Sequence, residues 1–557
     1  MTTALTVGWH LARAATVWSD REALIIGERC ATYAQILSES RASARGLLGL
    51  GVRRGDRVGT LMHNCWDAII LHYAASLIGA VHVPLNTRYK ADELKYAVGF
   101  ADLVGVFTTP NGSEHADLRR LMKETFPVLA EWRYGHPLHV AEAPSLQFIG
   151  VLGDNDEQCW LTRRGFQQAS ASVSEAELDA AIATVHQDDI CVMMFSSGTT
   201  ARPKACMLSH RNIILTGEAL AERFELTLQD RFWDPLPFFH MSTIMPLTAC
   251  RSVGATFIGV EHFEPGAGLV EIEQRRATII YPAFQTLMAS LIAQPEFKSR
   301  DLSAVRLSLN VGAPDLLRRF ASALPHAKQV SCYGLTEGGG VCCWNEPGDT
   351  LDQRVETAGR PVRGVEMRVV DPETLTDMPV GARGEILVRG FCVFSGYYKD
   401  EAQTKLTITP DGWLRTSDLG ELDADGRVIF RGRLKDMLKI GGENVAAVEI
   451  ESYLMRHPAV KLAQVISVPD ERLVEVAAAF LELLPGANVT EQEIVEFCAD
   501  SIASFKIPRH IRFVSAWPMS TTKIQKFKLA EEWVTGASLD VAAILRNRSA
   551  KEVPTRH

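Results

Sequence analysis

The stretch Phe195 to His210, FSSGTTARPKACMLSH, sets Ser196, Ser197, Gly198, Thr199 and Thr200 in unbroken succession shortly before Lys204. A polyphosphate needs several hydrogen-bond donors converging on its nonbridging oxygens, with positive charge to offset roughly three to four negative charges. The four hydroxyls donate, Gly198 permits close backbone approach, and Lys204 brings the charge. No GxxxxGK[ST] occurs in the chain, so this is not a Walker A loop but another solution to the same problem. Alone, an SGTT fragment reads equally as a solvated Ser/Thr turn between a strand and a helix.

Three distant segments carry complementary chemistry. SCYGLTEGGG holds Tyr333, Gly334, Thr336 and Glu337 within five residues, a set suited to stack a base, admit backbone, bind a phosphate oxygen and hold Mg²⁺. Asp418 in LRTSDLG and Arg433 in FRGRLKDMLK are polar residues adjoining apolar strands, and singly each fits a surface position. MSTTKIQKFKL holds Lys523, Lys526 and Lys528, which also fit a solvated basic strand.

The elements that must position these residues read as α/β. Helical stretches such as YAQILSESRASARGLLGLG alternate with β-branched runs such as RVGTLM, ADLVGVFTT and ATIIYPAF. ICVMMF predicts a strand, the Ser/Gly/Thr run a loop, and SHRNIILTGEALAERF a helix with Ser209 as N-cap. A polar segment from about Tyr134 to Gln187 is hard to assign. From about Gly381 the texture changes to short strands and turns, predicting a β-rich subdomain over about 350–433. Beyond Arg433 a helix before Pro458, two strands and a second helix predict a small α+β domain over 434–557. Gly536 to His557 reads as a docked helix with a frayed tail. The fold class is thus multidomain α/β: a large N-terminal domain over 1–433 of α/β layers with its β-rich subdomain, then a small mobile C-terminal domain.

Composition bounds the function. With 557 residues, 46% hydrophobic and 22% charged, and a net charge of −9, the chain is an ordinary globular protein with no basic surplus for nucleic acid. Eleven cysteines without a CxxC spell neither a zinc site nor a disulfide framework, and a reducing, cytoplasmic setting follows. The N-terminus lacks a signal-peptide pattern, since His10 and Arg13 interrupt its apolar run. Ala68 to Thr87 carries no Lys, Arg, Asp or Glu, yet Gly79 divides it into a buried helix and a strand rather than a membrane span. The sequence leaves the oligomeric state open, a homodimer included.

These segments, in this order, resemble the adenylate-forming superfamily of AMP-forming acyl-CoA synthetases, firefly luciferase and peptide-synthetase adenylation domains. The resemblance runs over nearly the whole chain and rests on five ordered segments: FSSGTTARPKACMLSH, YGLTE, LRTSDLG, RGRLKDMLKIGGEN and TTKIQKFKL. It implies that Ser196 to Thr200 and Lys204 position the β- and γ-phosphates. Cys332, Tyr333 and Gly334 join the nucleotide set, Tyr333 lying against adenine together with Gly312, Ala313 and Pro314. Thr336 touches the α-phosphate, Glu337 holds Mg²⁺, and Asp418 and Arg433 hold the ribose hydroxyls. Lys523 reaches from the small domain to the α-phosphate and the substrate carboxylate. Lys435 is the hinge about which the small domain turns, bringing Lys439, Gly441, Gly442 and Glu443 to line the path of the coenzyme A thiol.

The implied activity is ligation of a carboxylic acid to CoA, with ATP and Mg²⁺, through an acyl-adenylate. His240 in PLPFFHMST matches an aromatic or histidine position near the acyl pocket, as a tunnel-lining residue or as a participant in the chemistry. Peptide-synthetase domains usually place an aspartate after a phenylalanine there to hold an amino group; this chain reads Phe238-Phe239-His240, which disfavours an α-amino acid. Met241, Ser242, Tyr281, Phe284, Val311 and Val341 form a mostly apolar candidate pocket, if they are not simply core. Such a pocket gains about 0.8 kcal/mol per buried CH₂, favouring a fatty, alicyclic, aromatic or steroid-side-chain acid. Four positions depart from the family's usual glycine: Ala201, Ala205, Ser417 and Thr522. Wherever that position needs positive φ, the replacement carries strain on the order of 1 kcal/mol. The charged positions are all kept, so an active ligase is expected; the rivals are a ligase passing its adenylate to a carrier protein and a noncatalytic paralogue that binds ATP or acyl groups.

Overall fold

β-Branched and apolar runs become two large, mostly parallel sheets in the computed structural model, which describes residues 5–109, 117–153, 160–196, 203–434, 437–440, 443–470, 473–499, 502–519, 524–531 and 533. One sheet has the strand order Lys328–Val330, Leu307–Val311, Ile279–Phe284, Arg231–Asp234, Thr256–Gly259, Glu22–Ile26, Arg29–Thr32. Only its last pair is antiparallel. The other runs Gly396–Tyr397, Lys204–Ser209, Ile190–Ser196, Val81–Pro84, Arg57–Leu61, Leu103–Thr108, Phe148–Val151, Leu161–Thr162. Parallel strands buried on both faces need near-continuous apolar sequence, and Leu103–Thr108 is buried at all six positions.

The chain divides into two compact units, one of 1–312, 316–367 and 387–415, the other of 313–315, 368–386 and 416–557. The β-rich texture after Gly381 becomes a four-stranded sheet ordered Val365–Val370, Gly384–Gly390, Leu414–Leu422, Val428–Arg433. Near the C-terminus, Val460–Asp470 and Val474–Leu483 form a long antiparallel hairpin. Helices Ala447–Leu454 and Glu491–Ala499 cover it through Ile450, Leu454, Ile494 and Cys498. This part of the chain is the expected α+β arrangement.

The uncharged stretch after Cys65 is helix Trp66–Leu77, a turn at Gly79 with φ 70°, and strand Val81–Pro84, buried at every helix and strand residue except Asp67. Among the described residues no helix is long and apolar enough to cross a membrane. Ser209 caps helix His210–Arg223 as expected: its hydroxyl accepts from the Asn212 N–H at 3.2 Å, while Asn212 Oδ1 accepts from the Ser209 N–H at 2.8 Å.

One expectation is corrected. The sequence predicts strand, loop, helix; the structure inserts a second strand, Lys204–Ser209, antiparallel to Ile190–Ser196, with Ser196 opposite Lys204. KACMLS, with Ala205, Cys206, Leu208 and Ser209 buried, is thus a strand of the eight-stranded sheet. The unassigned polar segment holds Phe148–Val151, Leu161–Thr162 and helices Arg163–Ala171 and Glu175–Ile182. Gly536 to His557 lies outside the described residues.

Candidate active site

Glu337 sits in a single 3-10 turn, Thr336–Gly338, which closes on Gly339 with φ 70°. Its carboxylate is gripped from a strand 60 residues away: the Tyr397 hydroxyl donates to Glu337 Oε1 at 2.9 Å. The same oxygen lies 3.5 Å from Ser196 Oγ, the limit of a hydrogen bond. Lys204 places its ammonium 5.0 Å from the centre of the Tyr397 ring, a cation–π distance. Ser196, Lys204, Glu337 and Tyr397 thus converge from three parts of the chain.

The backbone explains how. Gly396 and Tyr397 pair with Met207 and Cys206 as an edge strand of the eight-stranded sheet. The Phe394 N–H donates to the Glu337 carbonyl at 2.9 Å, the Ser395 N–H to Met207 at 2.8 Å and the Tyr398 N–H to Ala205 at 2.9 Å. Burial, with the neighbouring Glu337 carboxylate, pushes the Tyr397 phenol well up, so it keeps its proton and donates. Burial likewise raises the Cys206 thiol, with Glu337 adding to the effect. Removing the hydroxyl as Tyr397→Phe keeps the ring under Lys204 and takes one charge-assisted bond, about 1.5 kcal/mol. On the resemblance to adenylate-forming enzymes, a roughly tenfold fall in adenylation rate with a raised Mg²⁺ requirement is expected in steady-state kinetics; an unchanged Mg²⁺ dependence would remove Tyr397 from the site.

Tyr333 is buried, its strand Cys332–Tyr333 pairing with Cys343–Trp344. Burial pushes the Cys332 thiol up to about 12. Gly334 is obligatory, since a Cβ there would stand 2.2 Å from the Gly340 carbonyl oxygen. Gly340 adopts φ 107°, and a Cβ on it would meet Met241 Cβ at 2.9 Å, so the TEGGGV segment runs against the start of helix Met241–Val253.

His240 is the N-cap residue of that helix, partly exposed, its ring 4.9 Å from Phe239. The loop before it is pinned by a residue sequence reasoning passed over. Asn64 donates to the Leu236 and Val260 carbonyls at 2.7 and 2.9 Å, and its Oδ1 accepts from the Phe238 N–H at 2.7 Å. Neither Asn64 nor Tyr397 stands out by spacing, because each acts across more than fifty residues.

Among the pocket candidates, Met241, Tyr281 and Val341 are buried, and Ser242 and Phe284 partly so. Tyr281 packs 5.4 Å from Phe232 in the sheet core. Phe284 and Val311 are opposite partners at the ends of neighbouring parallel strands, and Val311 is 43% exposed. Gly312-Ala313-Pro314 follows directly, Pro314 opening helix Pro314–Ala323.

In the second unit, Asp418 and Arg433 face each other across an antiparallel pair, with Arg433 Nε 3.2 Å from Asp418 Oδ1. Asp418 is 3% exposed. Ser417 before it has φ 57°, the left-handed backbone at which the family's glycine costs nothing, and its N–H donates to Glu385 at 3.0 Å. Ser417→Gly keeps that bond and relieves about 1 kcal/mol, part of which the freer unfolded chain takes back. A small rise in melting temperature is expected, and a fall would contradict the strain. Ala205, by contrast, is a buried strand residue opposite Phe195, without positive φ, so no strain attaches to it. Lys439 and Glu443 lie on the two strands of the hairpin Met437–Ile440 and Glu443–Ala446. Ser197, Gly198, Thr199, Thr200, Ala201, Lys435, Gly441, Gly442, Thr522 and Lys523 lie outside the described residues.

Residues 11–398 match the AMP-binding enzyme family model, and 449–523 match the model of the AMP-binding enzyme C-terminal domain. The chain belongs to the AMP-binding enzyme family. It is similar to YngI of Bacillus subtilis (strain 168), provisionally named an acyl-CoA synthetase, at 34% identity over 95% of this chain and 97% of that one. It is similar to the mitochondrial medium-chain acyl-CoA ligase ACSF2 of Rattus norvegicus at 31% identity, over 95% and 87%. A crystal structure of the anthranilate CoA ligase AuaEII with anthranoyl-AMP superposes with a TM-score of 0.83 at 27% identity, covering 99% of both chains. The AMP-binding enzyme described here is therefore an adenylate-forming acid–CoA ligase, ATP-dependent and AMP-forming, that uses Mg²⁺ and coenzyme A.

The residues present fit Mg²⁺. Among the described residues no three His, Cys, Asp or Glu side chains group as a metal cage, and Mg²⁺ bound with substrate phosphates needs only one or two carboxylates. Glu337, oriented by Tyr397, would supply one.

Proposed function

We propose that this ligase activates an apolar carboxylic acid, fatty, alicyclic, aromatic or steroid-side-chain, and transfers it to coenzyme A. The observation that carries the substrate class is the strand-end pair Phe284–Val311. An exposed valine at the C-terminal end of a parallel strand, where ligands of open α/β sheets bind, is stabilised when acyl carbon covers it. Met241 and Val341 are further apolar candidates, both buried. Phe238-Phe239-His240 offers no carboxylate for an amino group. Medium-chain fatty acids and anthranilate, in the names of two relatives, fall within or beside this class.

In this reading Lys204 and the run Ser196 to Thr200 hold the β- and γ-phosphates, Thr336 contacts the α-phosphate, and Asp418 with Arg433 orients the ribose. Cys332, Tyr333, Gly334 and Gly312 to Pro314 enclose the adenine. Glu337 holds Mg²⁺, which when bound offsets charge on the phosphate oxygens. Lys523 neutralises the carboxylate as it approaches the α-phosphate. Residues 434–557 then turn about Lys435, and Lys439, Gly441, Gly442 and Glu443 line the thiol's path. His240, at the head of helix Met241–Val253, lines the acyl pocket or takes part in the chemistry. A cytosolic setting suits the ten described cysteines, all free thiols.

Pyrophosphate exchange across acetate, octanoate, palmitate, cyclohexanecarboxylate, benzoate, a steroid-side-chain acid and phenylalanine tests the class. Each added CH₂ that finds the pocket is worth about 0.8 kcal/mol, or about fourfold in kcat/KM, so acetate and phenylalanine are expected last. Preference for either would overturn the proposal. Thioester formation on adding CoA is expected; transfer to a phosphopantetheine carrier protein but not to CoA would establish the carrier-protein reading.

A further inference from the structure

From the end of strand Arg231–Asp234 to His240 the chain reads DPLPFFH, and Pro235 and Pro237 have no N–H to offer a neighbour. The remaining buried backbone groups still need partners, and side chains supply them. Asp234 Oδ1 accepts from the Leu236 N–H at 2.8 Å. The Thr243 hydroxyl lies 2.9 Å from the Leu236 carbonyl oxygen and 3.1 Å from that of Pro237. Both side chains belong to the elements flanking the loop. Asn64 does not: it follows strand Arg57–Leu61 of the other large sheet.

The half-buried Asn64 amide donates to the Leu236 and Val260 carbonyls, and its oxygen accepts from the Phe238 N–H. Leu236 and Val260 come just after two parallel strands whose last residues, Asp234 and Gly259, are opposite partners. One side chain thus fastens two strand ends of the seven-stranded sheet to a strand end of the eight-stranded sheet. Ring contacts reinforce the junction. His63 lies 4.7 Å from His262, and Phe238 lies 5.7 and 5.9 Å from His72 and His82. An amide is suited to this place, since a carboxylate cannot donate and a hydroxyl has a single hydrogen.

Ligands of open α/β sheets bind outside the C-terminal ends of the strands, where this clasp sits. From it Phe239 and His240 lead into helix Met241–Val253, whose Met241 abuts Gly340 in the TEGGGV segment that carries Glu337. We propose that Asn64 is a positioning residue for acid selection, on the reading that His240 and Met241 border the acyl pocket. By holding the Leu236 and Phe238 backbone between the two sheets, it sets where the wall from Phe238 to Met241 stands against the acyl chain.

Two variants separate this role from a merely structural one. Asn64→Asp keeps the shape and the bond from Phe238, but turns an oxygen toward carbonyls that now receive N–H groups. Asn64→Ser leaves space in which water serves the same groups more loosely. The readout is the ratio of kcat/KM for the enzyme's best acid to that for the homologue longer by one CH₂, measured by pyrophosphate exchange. Such a ratio does not depend on how much of the enzyme is folded. A displaced wall should change it by about threefold or more in both variants, within the range a single methylene commands. The ratio for ATP over dATP, set at the nucleotide residues, should hold.

An unchanged acid ratio in either folded variant would overturn the proposal, as would acid and nucleotide ratios that shift together. If Asn64→Asp does not fold, Asn64→Ser decides alone. Should the unaltered enzyme prefer acetate or phenylalanine, the substrate-class reading falls, and the ratio for that acid and its next homologue still tests Asn64.

Discussion

Replacing Glu337 by glutamine is expected to slow adenylation about 10²–10³-fold while leaving the fold in place. Glutamine keeps the length and volume of the side chain, and its amide oxygen still accepts from the Tyr397 hydroxyl that now donates at 2.9 Å. What it loses is the negative charge, which is what Mg²⁺ requires of a protein ligand when phosphates and water supply the others. The loss falls on the step in which two anions, a carboxylate and a polyphosphate, are brought together, so it should appear in kcat and in the Mg²⁺ concentration needed for half-maximal rate. Affinity for the carboxylic acid should change little. Pyrophosphate exchange measured across a Mg²⁺ titration checks this, with circular dichroism and melting temperature as controls for folding. An unchanged Mg²⁺ dependence would mean that Glu337 only anchors Tyr397 and that the metal is held elsewhere.

The residues around Glu337 mark where sequence reading reaches its limit. Runs with a strong period were legible: Tyr33–Gly49 as a helix, Leu103–Thr108 as a strand, and the Ser209 cap all rest on local patterns. The Lys204–Ser209 strand was missed because KACMLS resembles a loop exit until Ile190–Ser196 lies beside it, and antiparallel pairing is not a local property. Tyr397 and Asn64 were missed for the same reason. A tyrosine in SGYYKD has no sequence signal that its hydroxyl meets a carboxylate 60 residues earlier. Ser417 was legible as a departure from a glycine pattern, but only its φ of 57° turns that departure into strain, and only the strand position of Ala205 removes the same concern there. Motif order identified the chemistry because each segment supplies a charge or donor the others lack; which groups hold those residues in place depends on packing.

The second large effect is expected at Lys523, proposed to neutralise the carboxylate as it meets the α-phosphate. Lys523→Ala should cut pyrophosphate exchange by about 10³-fold, the counterpart of about 4 kcal/mol of transition-state stabilisation. Thioesterification of a supplied acyl-adenylate should change no more than about threefold, since in the proposed cycle the small domain has turned and taken Lys523 from the site; that allowance is well under 1 kcal/mol. The neighbouring lysines provide the control. Lys526 lies 2.5 Å from Glu451, a buried carboxylate that also accepts from the Val465 N–H at 2.8 Å. Lys526→Ala would leave Glu451 with an uncompensated charge and should lower stability rather than select one half-reaction. Lys523→Arg restores charge without the compact ammonium that a single α-phosphate oxygen and a carboxylate share, and should recover only part of the exchange rate. Equal losses in both half-reactions for Lys523→Ala would leave ligation intact as an activity but remove the turning of residues 434–557 about Lys435 as its basis.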